Sequence, residues 1–157
     1  MRFLTTFAAL APGITRLDGD ERMRERPIED LLTCLRAMGV LAESVNNNQC
    51  PPLIIHGGRI PGGNLRLAAD KSSQFLTSVL LSAPYFENDT TVHIAGELTS
   101  KSYIDITLDI MKTFGVHVEN EGYAAFRVKA GQKYRAQVYP IEGDASSASY
   151  FFAAAAV

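Results

Sequence analysis

The sequence predicts an α/β (α+β) protein assembled from a repeated unit of two helices and four strands, and three observations lead there. Pro27–Val40 (PIEDLLTCLRAMGV) aligns with Tyr103–Val116 (YIDITLDIMKTFGV): Ile28 falls on Ile104, Leu32 on Leu108, Leu35 on Met111, Gly39 on Gly115 and Val40 on Val116, all 76 positions apart. A second correspondence interleaves with the first. Asp70–Ser73 (DKSS) matches Asp144–Ser147 (DASS) at 74 positions, and Phe75–Val79 (FLTSV) matches Phe3–Phe7 (FLTTF) at 72. Helical stripes and strand-like runs also follow one another in a fixed order, βαβαββ. Solenoid repeats run to ~20–50 residues, so this longer period reads as a duplicated globular unit, of which the chain holds about two copies.

The repeat register sets Met1 opposite Ser73, which puts the first residues inside a helix closed by Gly13. Ile14–Leu17 is a short strand that runs into the turn Asp18-Gly19-Asp20. Pro27 is expected at the first helical position, where a missing N–H costs nothing. Ile28, Leu31, Leu32, Leu35 and Met38 then share one stripe, and Gly39 ends that helix. Strands follow at Val40–Val45 and Leu53–His56, then turns at Gly57-Gly58 and Pro61-Gly62-Gly63. Leu65–Ala69 alternates as a strand, and Ser72–Ala83 is a helix apolar on most sides, hence buried. Thr91–Ala95 is the next strand, and Tyr103–Phe114 is a helix stopped by Gly115. Val116–Glu119, Ala125–Lys129 and Gln137–Ile141 read as strands, and Ala145–Val157 as an apolar helix.

Composition excludes several function classes. Hydrophobic residues at 46% and charged residues at 20% belong to a folded globular chain. A net charge of −2 offers no basic footprint for nucleic acid. No apolar run reaches the ~18 residues that would span a membrane. The opening MRFLTTFAALAPG carries one arginine and a brief apolar stretch, which the repeat explains as a core helix rather than a signal peptide. Cys34 and Cys50 lack a CxxC spacing, so neither a disulfide framework nor a metal site is expected, and a reducing cytoplasm is the natural setting. A helix that begins without a cap and another that stops on AAAAV leave backbone groups and apolar surface uncovered. The chain is therefore expected to be part of a longer protein and poorly stable alone.

Three segments carry candidate chemistry. Arg22, Arg24 and Arg26 stand between a strand and a helix start, where a cation has the wrong sign for the helix dipole. Arg26, immediately before Pro27, suits an incoming phosphate or carboxylate, while neutralisation of the loop by Glu21, Glu25 and Asp30 is an equally physical reading of the spacing. Asp70-Lys71-Ser72-Ser73-Gln74 opens a helix with two hydroxyls, an amide and free N–H groups, a phosphate cradle or simply a cap. Ser100-Lys101-Ser102-Tyr103 occupies, in the other copy, the corner that Arg24–Pro27 holds. Such corners beyond strand ends are where α/β sheets bind ligands. His56, His93 and His117 have no paired ligand spacing and read as structural, and the glycine pairs fit neither a P-loop nor a dinucleotide fingerprint.

Taken together, ERMRERPIEDLLTCLRAMGV, GGNLRLAADKSSQFLTSVLLSAP, SKSYIDITLDIMKTFGV and IEGDASSASYFFAAAA closely resemble the 5-enolpyruvylshikimate-3-phosphate synthase family (3-phosphoshikimate 1-carboxyvinyltransferases), from Met1 to Val157. The UDP-N-acetylglucosamine enolpyruvyl transferases share the architecture but not the SSQFL and SKSYIDIT segments. The resemblance implies an inside-out barrel of six βαβαββ units, three in each of two domains, with the active site between them. Residues 1–141 would be part of the substrate-binding domain, and 142–157 the hinge and first helix of the second. It implies a transferase of the shikimate pathway, in chorismate and aromatic amino acid biosynthesis. The enolpyruvyl group of phosphoenolpyruvate would pass to the 5-hydroxyl of shikimate 3-phosphate, with no metal or organic cofactor. By motif, Arg26 would bind the phosphoenolpyruvate anion, and Ser72 and Ser73 the phosphate of shikimate 3-phosphate. Gln74 would lie between the substrates, and Ser100 and Tyr103 would complete the pocket. The family's acid/base groups have no counterpart here, so the chain by itself is expected to be inactive. Its partners are expected to be these two small molecules and the remainder of the same chain, not nucleic acid or membrane. The alternative is a non-catalytic remnant or anion-binding module of the same fold.

Overall fold

A computed structural model describes residues 1–68 and 72–156. The first unit contains α1 (Arg2–Leu10), β1 (Gly13–Leu17), a short α2 (Glu21–Arg24), α3 (Glu29–Ala37), β2 (Leu41–Ser44) and β3 (Leu53–Gly57). The second contains β4 (Gly63–Ala68), α4 (Ser73–Ser82), β5 (Thr90–Ala95), α5 (Lys101–Thr113), β6 (Val118–Glu121) and β7 (Ala125–Val128), and α6 (Ala145–Ala155) follows. The second unit thus shows the expected βαβαββ order in full. The sheets are ordered β1-β3-β2 and β4-β5-β7-β6. In each, the last strand of the unit inserts antiparallel between two strands, β3 between β1 and β2 and β7 between β5 and β6. β4 adds parallel to β5. Hence β4, β5 and β6 all point one way, and α4 and α5 are the return connections between them.

The two copies end their second helix identically. Gly39 and Gly115 adopt φ of +81° and +89°, a left-handed conformation that glycine enters without a Cβ penalty. Val40 N–H donates to Leu35 O (3.1 Å) and Val116 N–H to Met111 O (2.8 Å), while each glycine N–H reaches the carbonyl three residues back. These are Schellman motifs, and their apolar pairs, Val40 with Leu35 and Val116 with Met111, are buried. Ile28, Leu31, Leu32, Leu35 and Met38 are all buried, as the stripe requires.

The helices lie side by side through hydroxyls. Thr6 Oγ1 is 2.8 Å from Ser78 Oγ, Ser78 Oγ donates to Phe3 O (3.1 Å), and Thr77 Oγ1 is 3.0 Å from Thr107 Oγ1. Small hydroxyl residues let α1, α4 and α5 approach closely while each buried polar group keeps a partner.

Four expectations need correction. Pro27 is not the first helical residue: Ile28 N–H donates to Gln49 O (2.9 Å), which turns Ile28 out of the helix as its cap, so α3 begins at Glu29. α5 begins at Lys101, two residues before Tyr103, because Ser100 reverses the chain in a left-handed conformation. Gln137–Ile141 forms no strand. Side chains tether this stretch across the helix ends instead: Tyr134 donates to Leu81 O (3.0 Å), Gln137 to Thr113 O (2.9 Å), and Tyr139 stacks on Phe114. Gly57 is no turn but the last residue of β3. A Cβ there would meet the carbonyls of Ala11, Ala8 (2.8 Å) and Ala9 (2.9 Å), because the strand end runs against the end of α1 and Gly58 N–H donates to Ala9 O.

α6 has no buried residue. Among the described residues, no helix is long and apolar enough to cross a membrane.

The close approach at Gly57 predicts an asymmetric pair of mutants. Gly57→Ala should destabilise by about 1–3 kcal/mol through overpacking, while Gly58→Ala, where a Cβ meets nothing within 4 Å, should be near neutral. Urea denaturation of both checks this, and equal midpoints would contradict the packing.

Candidate functional site

Because α4 and α5 return to parallel strands, they begin on the same side of the sheet, and α1 begins beside them. A cleft of about 680 Å³ opens there. Its walls carry Arg2 from the start of α1, Arg26 from the loop before α3, Ser72, Ser73 and Gln74 from the start of α4, and Ser100 and Tyr103 from the start of α5. All six residues that the resemblance assigns to substrate therefore line one cleft, although the widest pair, Arg26 and Tyr103, is separated by about one repeat unit.

The electrostatics of the cleft favour an anion. Each helix N-terminus carries roughly half a positive charge, offset in most helices by an acidic residue in the first turn. α2 has Glu21 and α3 has Glu29 and Asp30, and α6 is capped by the Asp144 carboxylate. α1, α4 and α5 have no acidic residue in the first turn. Two guanidinium groups are added to these three ends, and among the described residues neither Arg2 nor Arg26 pairs with a carboxylate. Burial, then the nearby Arg26 cation, lowers the pKa of Arg2, with the Cys50 thiol acting weakly in the opposite sense.

The three arginines of the RxRxR segment have separate fates. Arg24 makes a bidentate pair with Asp18 (2.8 and 2.9 Å) and Arg22 reaches Glu25 (3.5 Å), whereas Arg26 faces the cleft. Neutralisation therefore holds for two of them, and for Arg24 the partner is Asp18 rather than an acid of its own segment. The Arg24 side-chain hydrogen bond, followed by the Gly19 N–H, lowers the Asp18 carboxyl to about 2.

The serine pairs also differ. Ser72 caps α4, its Oγ accepting from Gln74 N–H (3.2 Å), and Ser73 is buried behind it. In α6 the cap is Asp144, which accepts from Ser146 N–H (2.9 Å) and Ser147 Oγ (2.6 Å). The cap thus sits two residues later in α4. The expected roles of Asp70 and Lys71 fall outside the described residues. Ser100 holds φ +55° and ψ +51°, an uncommon conformation for a residue with a Cβ and one that clusters at ligand sites. Tyr103 is 62% exposed, its ring open to the cleft.

Sequence reading missed Arg2, although a signal was available: at the 72-residue offset Arg2 is the repeat mate of Gln74. It also missed Ile106 and Ile110, which give the cleft an apolar wall on α5. His56, His93 and His117 are exposed and lie outside the cleft.

Comparison with known proteins shows the family. The family model of EPSP synthase (3-phosphoshikimate 1-carboxyvinyltransferase) matches residues 1–157. The chain belongs to the EPSP synthase family. The 3-phosphoshikimate 1-carboxyvinyltransferase of Aliivibrio salmonicida is 51% identical over 158 residues, covering 100% of this chain and 37% of the relative. That of Nostoc sp. is 47% identical over 156 residues, covering 99% and 37%. The EPSP synthase structure from Acinetobacter baumannii superposes with a TM-score of 0.79 at 26% identity, over 96% of this chain and 33% of that one. The chain spans about 37% of the length of the curated relatives it matches. The mixed α/β fold thus matches about a third of an EPSP synthase.

The Asp18–Arg24 pair supplies a pH test. A carboxyl whose folded pKa is depressed contributes stability above its unfolded pKa and loses it as pH falls through the folded value, here between about 4 and about 2. Arg24→Ala should return Asp18 towards 3.8, while Arg26→Ala should leave it in place. Carboxyl titration by NMR checks both variants, and an Asp18 indifferent to Arg24 would contradict the pairing.

Proposed function

We propose that this chain is the anion-binding portion of a cytoplasmic transferase that moves the enolpyruvyl group of phosphoenolpyruvate to the 5-hydroxyl of shikimate 3-phosphate. The products are 5-enolpyruvylshikimate 3-phosphate and phosphate. One observation carries the reading: three helix starts without acid, two arginines and a set of hydroxyls converge on one cleft, in a member of this family. Both substrates are polyanions, so such a cleft matches their shared chemistry.

In this reading Arg26 holds the phosphoenolpyruvate anion through its guanidinium fork. Ser72 and Ser73 donate to the phosphate of shikimate 3-phosphate. Gln74 lies between the two substrates, and Ser100 with the Tyr103 ring closes the shikimate side. The 5-hydroxyl gives up its proton as its oxygen bonds to C2 of phosphoenolpyruvate and C3 gains a proton to become a methyl group. The tetrahedral adduct then loses one methyl proton as the C2–O bond to phosphate breaks, which restores the C2–C3 double bond and releases phosphate. The cleft residues of this chain bind and orient, and proton transfer is assigned to groups elsewhere in the enzyme. Residues 1–141 form part of the substrate-binding domain and 142–157 the hinge and first helix of the second domain. The absence of any buried residue in α6 supports that division. Two buried free cysteines suit the reducing compartment.

Two measurements test the reading in an enzyme completed by joining this chain to the remaining length of the Aliivibrio salmonicida relative. Arg26→Ala should raise KM for phosphoenolpyruvate more than for shikimate 3-phosphate, with a loss of about 1.5–3 kcal/mol. Equal effects would mean a folding role. Calorimetric titration should show shikimate 3-phosphate binding strongly weakened by Ser72→Ala with Ser73→Ala. The corresponding change at Ser146 and Ser147 should leave affinity nearly intact, and matching affinities would reduce Ser72 and Ser73 to a cap.

A further inference from the structure

Arg2 stands apart from the residues that the family motifs assign to substrate. It is partly buried, in the first turn of α1, and it makes three long-range hydrogen bonds at once. Its Nη1 donates to Ser72 Oγ (3.2 Å) and to Gln74 Oε1 (3.3 Å), and its Nη2 donates to Pro27 O (2.9 Å). The guanidinium carbon lies 5.0 Å from the centroid of the Phe75 ring, a cation–π contact. One side chain thus joins the start of α1 to the start of α4 and to the backbone beside Arg26.

Elementary hydrogen-bond chemistry gives this arrangement a direction. A guanidinium has five N–H donors and no acceptor, so it can face only the oxygen of a carboxamide. With Gln74 Oε1 held by Arg2, the Nε2 amine is the end left for a ligand. Ser72 is constrained in the same sense. Its Oγ already accepts from Gln74 N–H (3.2 Å) and from Arg2 Nη1 (3.2 Å), which occupies both lone pairs. The hydroxyl proton is then the only hydrogen-bonding capacity Ser72 has left.

We infer that Arg2 is a positioning residue of the cleft, one that makes Ser72 and Gln74 hydrogen-bond donors towards the bound anion. The inference rests on the anion-binding reading given above. Without Arg2, Gln74 is free to turn its carbonyl oxygen to the cleft, where it would repel a phosphate or carboxylate. Ser72 is then equally free to point its lone pairs outward. The contact with Pro27 O couples the same device to the Arg26 loop, so the two halves of the cleft keep one spacing.

Side-chain NMR of the completed enzyme described above tests this without any ligand. In the unmodified enzyme the Gln74 Nε2 group should relax as rigidly as its backbone. Arg2→Lys keeps a charge and an aliphatic stem over Phe75 but has no fork to bridge three acceptors, and Arg2→Met removes the donors altogether. In both variants the Gln74 amide should lose order. Titration with shikimate 3-phosphate should then show affinity lower by about 10- to 100-fold in Arg2→Lys. Gln74→Ala should cost less on the Arg2→Lys background than alone, since the two residues act as one unit. A Gln74 amide that stays rigid in both variants, or strictly additive losses, would overturn the inference. A Gln74 amide that depends on Arg2 in an enzyme that takes up no shikimate 3-phosphate would sustain the positioning role and remove the anion reading.

Discussion

The contact between α1 and α4 organises this molecule. The two helices are copies of one element, and they meet through equivalent positions: Arg2 touches Gln74 and Thr6 touches Ser78, both pairs 72 residues apart. Repeat mates can face each other at two successive levels only if the helices run parallel and in register. The hydroxyl pair is buried and mutually satisfied, so sliding one helix along the other would strand polar groups at a cost of about 1–3 kcal/mol each. The Thr77–Thr107 pair extends the same arrangement to α5.

Parallel, in-register packing has an electrostatic consequence. Helix dipoles lying side by side in the same sense bring like partial charges together, which is unfavourable, and the repulsion concentrates at the N-terminal ends. Nothing in the first turns of α1, α4 or α5 relieves it, and Arg2 and Arg26 add to it. Among the described residues, the cleft therefore gathers positive potential with no carboxylate of these first turns against it. An anion bound as proposed supplies a counter-charge, and any ligand that binds only the folded state stabilises that state. In the function proposed above, stability given up at the helix starts becomes affinity for phosphate and carboxylate. The neighbouring arginines show the contrast, since Arg24 and Arg22 are spent on Asp18 and Glu25 and add nothing to the cleft.

Much of this was legible in the chain itself. The repeated Gly39-Val40 and Gly115-Val116 stops were readable because a Schellman motif is a local device, set by a left-handed glycine and one apolar contact. The α3 stripe was readable because burial follows the 3.6-residue period. What misled was local pattern without a partner. Gln137–Ile141 alternates like a strand, yet it pairs with neither sheet, and Val138 and Ile141 are left 99% and 90% exposed. Pro27 looked like a helix start until the Gln49 carbonyl drew Ile28 outward, a contact 21 residues away that no local rule contains. Gly57 was read as a turn because a glycine pair signals one, whereas its requirement comes from α1 pressing on the strand end.

By itself the sequence determined the duplicated α/β plan, the helix stops and the polar corners, because propensity, periodicity and self-similarity are properties of neighbouring residues. Tertiary structure alone decided which corners meet. It divided three adjacent arginines between structure and cleft, since the choice depends on where Asp18 comes to rest. It also gave Arg2 its place, because a guanidinium acquires direction only when acceptors from distant parts of the chain are brought within 3.3 Å of it.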